Sequence, residues 1–104
     1  MATVRHLLFT VLAAAAPMTS ALAADAANGE GLARRWCASC HIVAANQQGP
    51  TTEAPPFAGV ARRPDFSAAR IAFFLLDPHP KMPNMGLSRG EAGDLAAYIA
   101  SLAK

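Results

Sequence analysis

The sequence predicts an all-α domain of about three helices. Two observations carry that expectation: apolar residues recur at helical spacing in three stretches, and each stretch is bounded by a capping residue or a proline. The connections between them are proline-rich loops, not the strands of a βαβ unit.

The first helix is expected from about Asp25, a candidate N-cap, with Gly29, Leu32, Ala33 and Trp36 sharing a face. Arg34 and Arg35 near its end suit the negative pole of the helix dipole. The second follows Pro64 and Asp65 and places Ile71, Phe74 and Leu75 on one face. It stops at Asp77-Pro78, because the residue before a proline avoids helical geometry. The third is opened by a capping box, Ser88 with Glu91, and carries Leu95, Tyr98, Ile99 and Leu102 at helical spacing. Residues Ile42 to Arg63 hold Pro50, Pro55, Pro56, Gly49 and Gly59, which predicts an ordered but irregular loop.

Residues 1–23 have the layout of a cleaved secretory signal peptide: Arg5 and His6, an apolar stretch from Leu7 to Ala16, then Ala21-Leu22-Ala23. The apolar run is half of the roughly 20 residues a membrane-spanning helix needs. Much of the 53% hydrophobic composition belongs to this leader, so the mature chain, 24–104, reads as soluble and without a membrane span. It keeps eight Lys and Arg against seven Asp and Glu, a balance of +1, which gives no broad patch for nucleic acid or a membrane surface. The implied location is the periplasm. A mature domain of about 80 residues is near the size at which a core needs a disulfide, a metal or a cofactor.

Both cysteines lie in Trp36-Cys37-Ala38-Ser39-Cys40-His41, the C-x-x-C-H pattern of c-type haem attachment. Two thiols three positions apart can add to the two vinyl groups of one porphyrin, giving a single covalent haem c. The imidazole of His41 is then held over its iron as proximal ligand, its other ring nitrogen donating to a backbone carbonyl. A structural disulfide would close too short a loop to stabilise much, a thioredoxin-like pair wants a βαβ context, and zinc lacks a second ligand pair. Phe57 and Val60 are expected to touch the cofactor, and the second helix to wall one side of it.

The second axial ligand separates an electron carrier from a haem protein with an open site. His79, Met82 and Met85 lie together in one loop. Met82 is favoured because Pro83 biases it towards extended backbone in a strap ahead of the capped helix. Met85 is assigned to core filling and His79 to the loop surface, while a bis-histidine site through His79 stays open.

At Cys37 to His41, at Met82-Pro83 and in Asp94-Leu-Ala-Ala-Tyr98, the chain resembles the small class I cytochromes c of bacteria, over nearly all of the mature sequence. The resemblance implies a cytochrome c-like fold wrapped around one haem, with Gly29 and Ala33 crossing Leu95 and Tyr98. Ala33 stands where an aromatic residue is common, so Trp36 or Leu32 is expected to supply the bulk. It also implies that Pro55, in Ala54-Pro-Pro-Phe-Ala-Gly59, offers the carbonyl that receives the His41 ring proton.

The function expected is transfer of one electron between redox partner proteins by a His41/Met82-ligated haem, with no substrate bond changed and hence no enzyme activity. Lys81, Arg62, Arg63 and Arg89 are expected to steer an acidic partner if they ring the haem edge. The alternatives are a haem subunit of a larger dehydrogenase or oxidase, and a small-molecule-binding haem protein. The chain is expected to be a monomer or one subunit of a redox complex.

Overall fold

Asp25 opens the first helix with its carboxylate, which accepts hydrogen bonds from the amides of Ala27 (3.0 Å) and Asn28 (3.1 Å). In the computed structural model, which describes residues 15–17, 23–50 and 53–104, that helix is α1, Ala26–Trp36. The leader assigned to residues 1–23 falls almost wholly outside the described residues. Arg34 and Arg35 fill the last turn of α1, and Arg34 pairs with Glu30 one turn earlier at 2.8 Å. That pair is half exposed and is worth only a few tenths of a kcal/mol, roughly 0.3–0.5.

The loop expected between Ile42 and Arg63 contains a five-residue helix, α2, Phe57–Ala61. No side chain caps it. Its formation follows from the burial of Phe57 and Ala61, a tertiary effect that local composition does not signal. The next helix, α3, Ala68–Leu76, starts three residues after Asp65 because Ser67 is its N-cap, accepting from the amide of Arg70 at 3.4 Å. It ends at Asp77, ahead of Pro78, as the proline requires. The last helix, α4, Arg89–Ser101, opens on a reciprocal capping box: Glu91 donates its amide to Ser88 Oγ (3.1 Å), and the Ser88 amide donates to Glu91 Oε2 (2.8 Å).

The helices α1, α2 and α3 all pack on α4. The core comprises Leu32, Ala33, Val43, Phe57, Ala61, Leu75, Ala92, Leu95, Ala96, Tyr98 and Ile99, with Cys37 at its edge and Leu102 partly buried against it. Truncating the fully enclosed Leu95 to alanine is expected to cost about 2–5 kcal/mol. At the crossing of α1 and α4, Gly29 lies against the backbone of Asp94 and the Cβ of Tyr98. Ala33 is fully buried there, and the bulk expected beside it comes from Leu32, 7% exposed, and not from Trp36, which is 48% exposed. Of the three residues expected to share the buried face of α3, Leu75 is buried, Ile71 is partly buried, and Phe74 is 38% exposed. Among the described residues all regular elements are helical, and no helix is long and apolar enough to cross a membrane.

Candidate haem site

Beyond Trp36 the chain keeps a helix-like course through the cysteine motif. Cys37 and Ala38 donate to the carbonyl of Ala33 (2.9 and 3.1 Å), and Cys40 and His41 donate to that of Cys37 (3.1 and 2.8 Å). This turn brings the two sulfur-bearing residues, three positions apart, to the lining of one cavity of about 380 Å³. The volume lies within the ordinary range for small-molecule and cofactor sites.

Cys37 is 3% exposed and Cys40 is exposed. Burial raises the Cys37 thiol from an ordinary 9.0 to about 11, which keeps it protonated at neutral pH. Cys37 and Cys40 are the residues that would hold a haem, through thioether bonds to its vinyl groups. Cys37 is not in a disulfide, so no bridge closes the motif.

The ring of His41 lines the cavity, and its Nδ1 lies 2.7 Å from the carbonyl oxygen of Pro55. A carbonyl can only accept, so Nδ1 carries a proton, and in the neutral ring Nε2 is then the nitrogen with the lone pair. That is the tautomer in which Nε2 can bind a metal, and the bond to Pro55 fixes the ring and raises the basicity of Nε2. Pro55 itself lines the cavity, with Glu53 and Ala54. Phe57, in contrast to the expectation of direct contact, is not among the cavity-lining residues. It is buried behind His41, ring to ring at 5.2 Å and 49°. Val60 is also displaced from the expected place: it lines a separate cavity beside α3 with Phe66 and Ile71.

The strap between α3 and α4 also lines the cavity, contributing His79, Lys81, Met82, Pro83 and Met85. Met82 donates its amide to the carbonyl of His79 (2.9 Å) and packs, partly buried, against the core. Met85, assigned from sequence to core filling, lines the cavity instead, and so does His79. The Nδ1 of His79 accepts from the amide of Lys81 (3.2 Å), and its ring lies 5.8 Å from that of Phe74. No α3 residue is among those lining the cavity, so α3 reaches the strap through the Phe74–His79 contact and is not a wall itself. The strap turns back towards Ser88 at Gly86, whose φ of +65° favours glycine, with Asn84 Oδ1 accepting the Gly86 amide at 2.9 Å.

Of the four cations expected to ring the site, Lys81 alone lines the cavity. Arg62 donates to the carbonyl of Lys104 (3.2 Å), and Arg63 lies 3.7 Å from Asp65. The charge lining the cavity is therefore mixed, with Lys81 on one strap and Glu53 on the other.

A family model described as cytochrome c oxidase, cbb3-type, subunit III, matches residues 24–99. The chain is also 65% identical over 92 residues to cytochrome c-552 of Bradyrhizobium diazoefficiens, an alignment covering 88% of each protein. No solved structure matches. The helices around the cavity, the paired cysteines followed by histidine, and these two matches agree: the chain belongs to the c-type cytochromes, as a small class I member that transfers electrons on one covalently attached haem c.

Proposed function

We propose that residues 1–23 are a cleaved export signal, that 24–104 form the mature monohaem domain in the periplasm, and that His41 and Met82 are the axial ligands. When bound, the haem supplies an iron that exchanges one electron between its ferrous and ferric states. The observation that supports this reading is that His41 and Met82 line one cavity, with His41 Nδ1 2.7 Å from the Pro55 carbonyl oxygen.

The chain's own residues have distinct tasks. Cys37 and Cys40 tether the group by thioethers, so it cannot dissociate. His41 offers Nε2, and the Pro55 carbonyl keeps the competing proton on Nδ1. Met82 offers a neutral thioether, which favours the reduced state. Its backbone bond to His79 anchors the strap, and Pro83 biases Met82 towards extended backbone, which favours it over Met85 as the sixth ligand. With His41 and Met82 both holding the iron, no position would be left for a substrate, and the domain would carry electrons between redox proteins without acting as an enzyme. The test is carbon monoxide: the reduced holoprotein is expected not to bind it at neutral pH, and ready binding would favour an open-site haem protein instead.

A second reading has one specific observation behind it. The matched family model describes an oxidase subunit, which supports a dedicated place in a larger redox complex over a freely diffusing monomer. Co-purification of this chain with membrane-bound oxidase subunits from the native source would support that reading. Recovery as a lone monomer would support the shuttle.

A further inference from the structure

The segment from Ala38 to Val43 leads from the cysteine motif towards the Pro55 strap without forming a helix or strand, so its backbone polar groups must find partners one at a time. Two of its carbonyls are met by other elements: Ile42 O accepts from the amide of Phe57 (3.0 Å), and Val43 O accepts from Tyr98 Oη (2.6 Å). Three further groups converge on a single side chain. Gln47 donates from Nε2 to the carbonyls of His41 (2.9 Å) and Ala38 (3.2 Å), and its Oε1 accepts from the amide of Val43 (2.9 Å). Gln47 is part-buried, and a turn that bonds its amide to Ala44 O (3.1 Å) folds it back onto the segment.

We propose that Gln47 is the positioning residue of the proximal side: by gripping the backbone on both flanks of His41, it sets the rotation of the imidazole over the iron. The inference rests on the reading of His41 as proximal ligand. A ring held only by the bond from Nδ1 to Pro55 can still swivel about that bond. Fixing the His41 carbonyl and the Val43 amide removes the swivel, because it fixes the peptide frame from which the side chain projects. An amide suits the task because it supplies both donor and acceptor from one rigid plane. Of the two adjacent glutamines, Gln47 alone is drawn inward, while Gln48 is exposed.

The test compares ferric and ferrous holoprotein as wild type, Gln47→Leu, Gln47→Glu and Gly29→Ala. The leucine removes all three bonds. The glutamate keeps the acceptor for Val43 but turns its second oxygen against two carbonyls, so its effect is expected to exceed that of leucine. Both Gln47 variants are expected to change the spread of the hyperfine-shifted haem methyl resonances and to displace the midpoint potential. Exchange of the His41 Nδ1 proton is expected to accelerate on the order of tenfold, as loss of one to two hydrogen bonds implies. Gly29→Ala, at the crossing of α1 and α4 and away from the cavity lining, is expected to weaken the fold while leaving the methyl pattern in place. If both Gln47 variants keep the wild-type methyl pattern and potential and are only less stable, Gln47 is a loop brace and the proposal falls. If His41 is not on the iron in the wild-type spectrum, the ligand reading fails first, and this outcome is distinct. Should the variants not fold, the wild type decides: Gln47 side-chain amide protons must exchange at least about tenfold more slowly than those of Gln48, and equal rates would overturn the proposal.

Discussion

A methyl group placed on Gly29 would lie 2.0 Å from the carbonyl oxygen of Asp94 and 2.9 Å from the Cβ of Tyr98. The two helices that bracket the sequence of the domain therefore meet backbone to backbone, at a distance only glycine permits. Because the obstructing atom is a helix carbonyl, it cannot rotate away as a flexible side chain would.

The crossing yields a paired prediction. Gly29→Ala is expected to destabilise the protein by at least about 2 kcal/mol through overpacking. Gly31→Ala, two residues on in the same helix and with nothing within 4 Å of its Cβ, is expected to stabilise it by up to about 1 kcal/mol through helix propensity. Denaturant unfolding of the two holoprotein variants checks both signs. Equal effects would mean that the helices do not cross at Gly29.

Tyr98 ties the same helix to the haem-binding segment, since its hydroxyl donates to Val43 O at 2.6 Å across 55 residues of sequence. Desolvation raises the phenol above its ordinary range, and the nearby Glu30 carboxylate adds to this, so the group remains a donor under ordinary conditions. Tyr98→Phe leaves the Val43 carbonyl without that donor and is expected to cost about 1–2 kcal/mol, read by equilibrium unfolding.

Acid sensitivity has a nameable source. The Asp94 carboxylate accepts from the Asp25 amide (2.7 Å) and from Asn28 Nδ2 (2.8 Å), and these bonds hold its pKa below the ordinary 3.8. A depressed carboxylate pKa contributes stability that is complete above the unfolded value and is lost as pH falls through the folded one. The stability gap between wild type and Asp94→Asn is therefore expected to be constant at neutral pH and to close below 3.8. A gap that is unchanged down to the acid transition would contradict the assignment.

Covalent attachment gives a prediction independent of ligation. Cys37→Ala and Cys40→Ala are each expected to retain haem through one thioether, with a shifted pyridine haemochrome spectrum. The double variant is expected to release its haem into acidified organic solvent. Retention in the double variant would mean that attachment does not run through this motif.

Three of the four helices were legible because their start signals are local. Asp25, Ser67 and Ser88 each bond an amide within three residues, and Asp77-Pro78 is a stop written in the backbone. Helix α3 was expected directly after Pro64 and Asp65, and its start at Ala68 follows from Ser67 being the N-cap. Helix α2 was missed because it carries no side-chain cap and gains its stability from burial of Phe57 and Ala61, which depends on residues more than thirty positions away. Trp36 fits the helical face of α1 by spacing, yet the chain turns into the cysteine motif at that point and leaves its ring at the cavity wall. In the strap, spacing cannot separate His79, Met82 and Met85, since all three line one cavity. The role of Gln47 has no sequence signature: its three partners come together only once residues 38–43 have folded.

The central claim is that His41 and Met82 together hold the iron, and the optical spectrum of the oxidised holoprotein tests it most directly. The account predicts a weak far-red band from methionine sulfur on ferric haem, present in the wild type and in Met85→Ala, and absent from Met82→Ala. A band that survives in Met82→Ala and vanishes in Met85→Ala, or one that never appears, would contradict it.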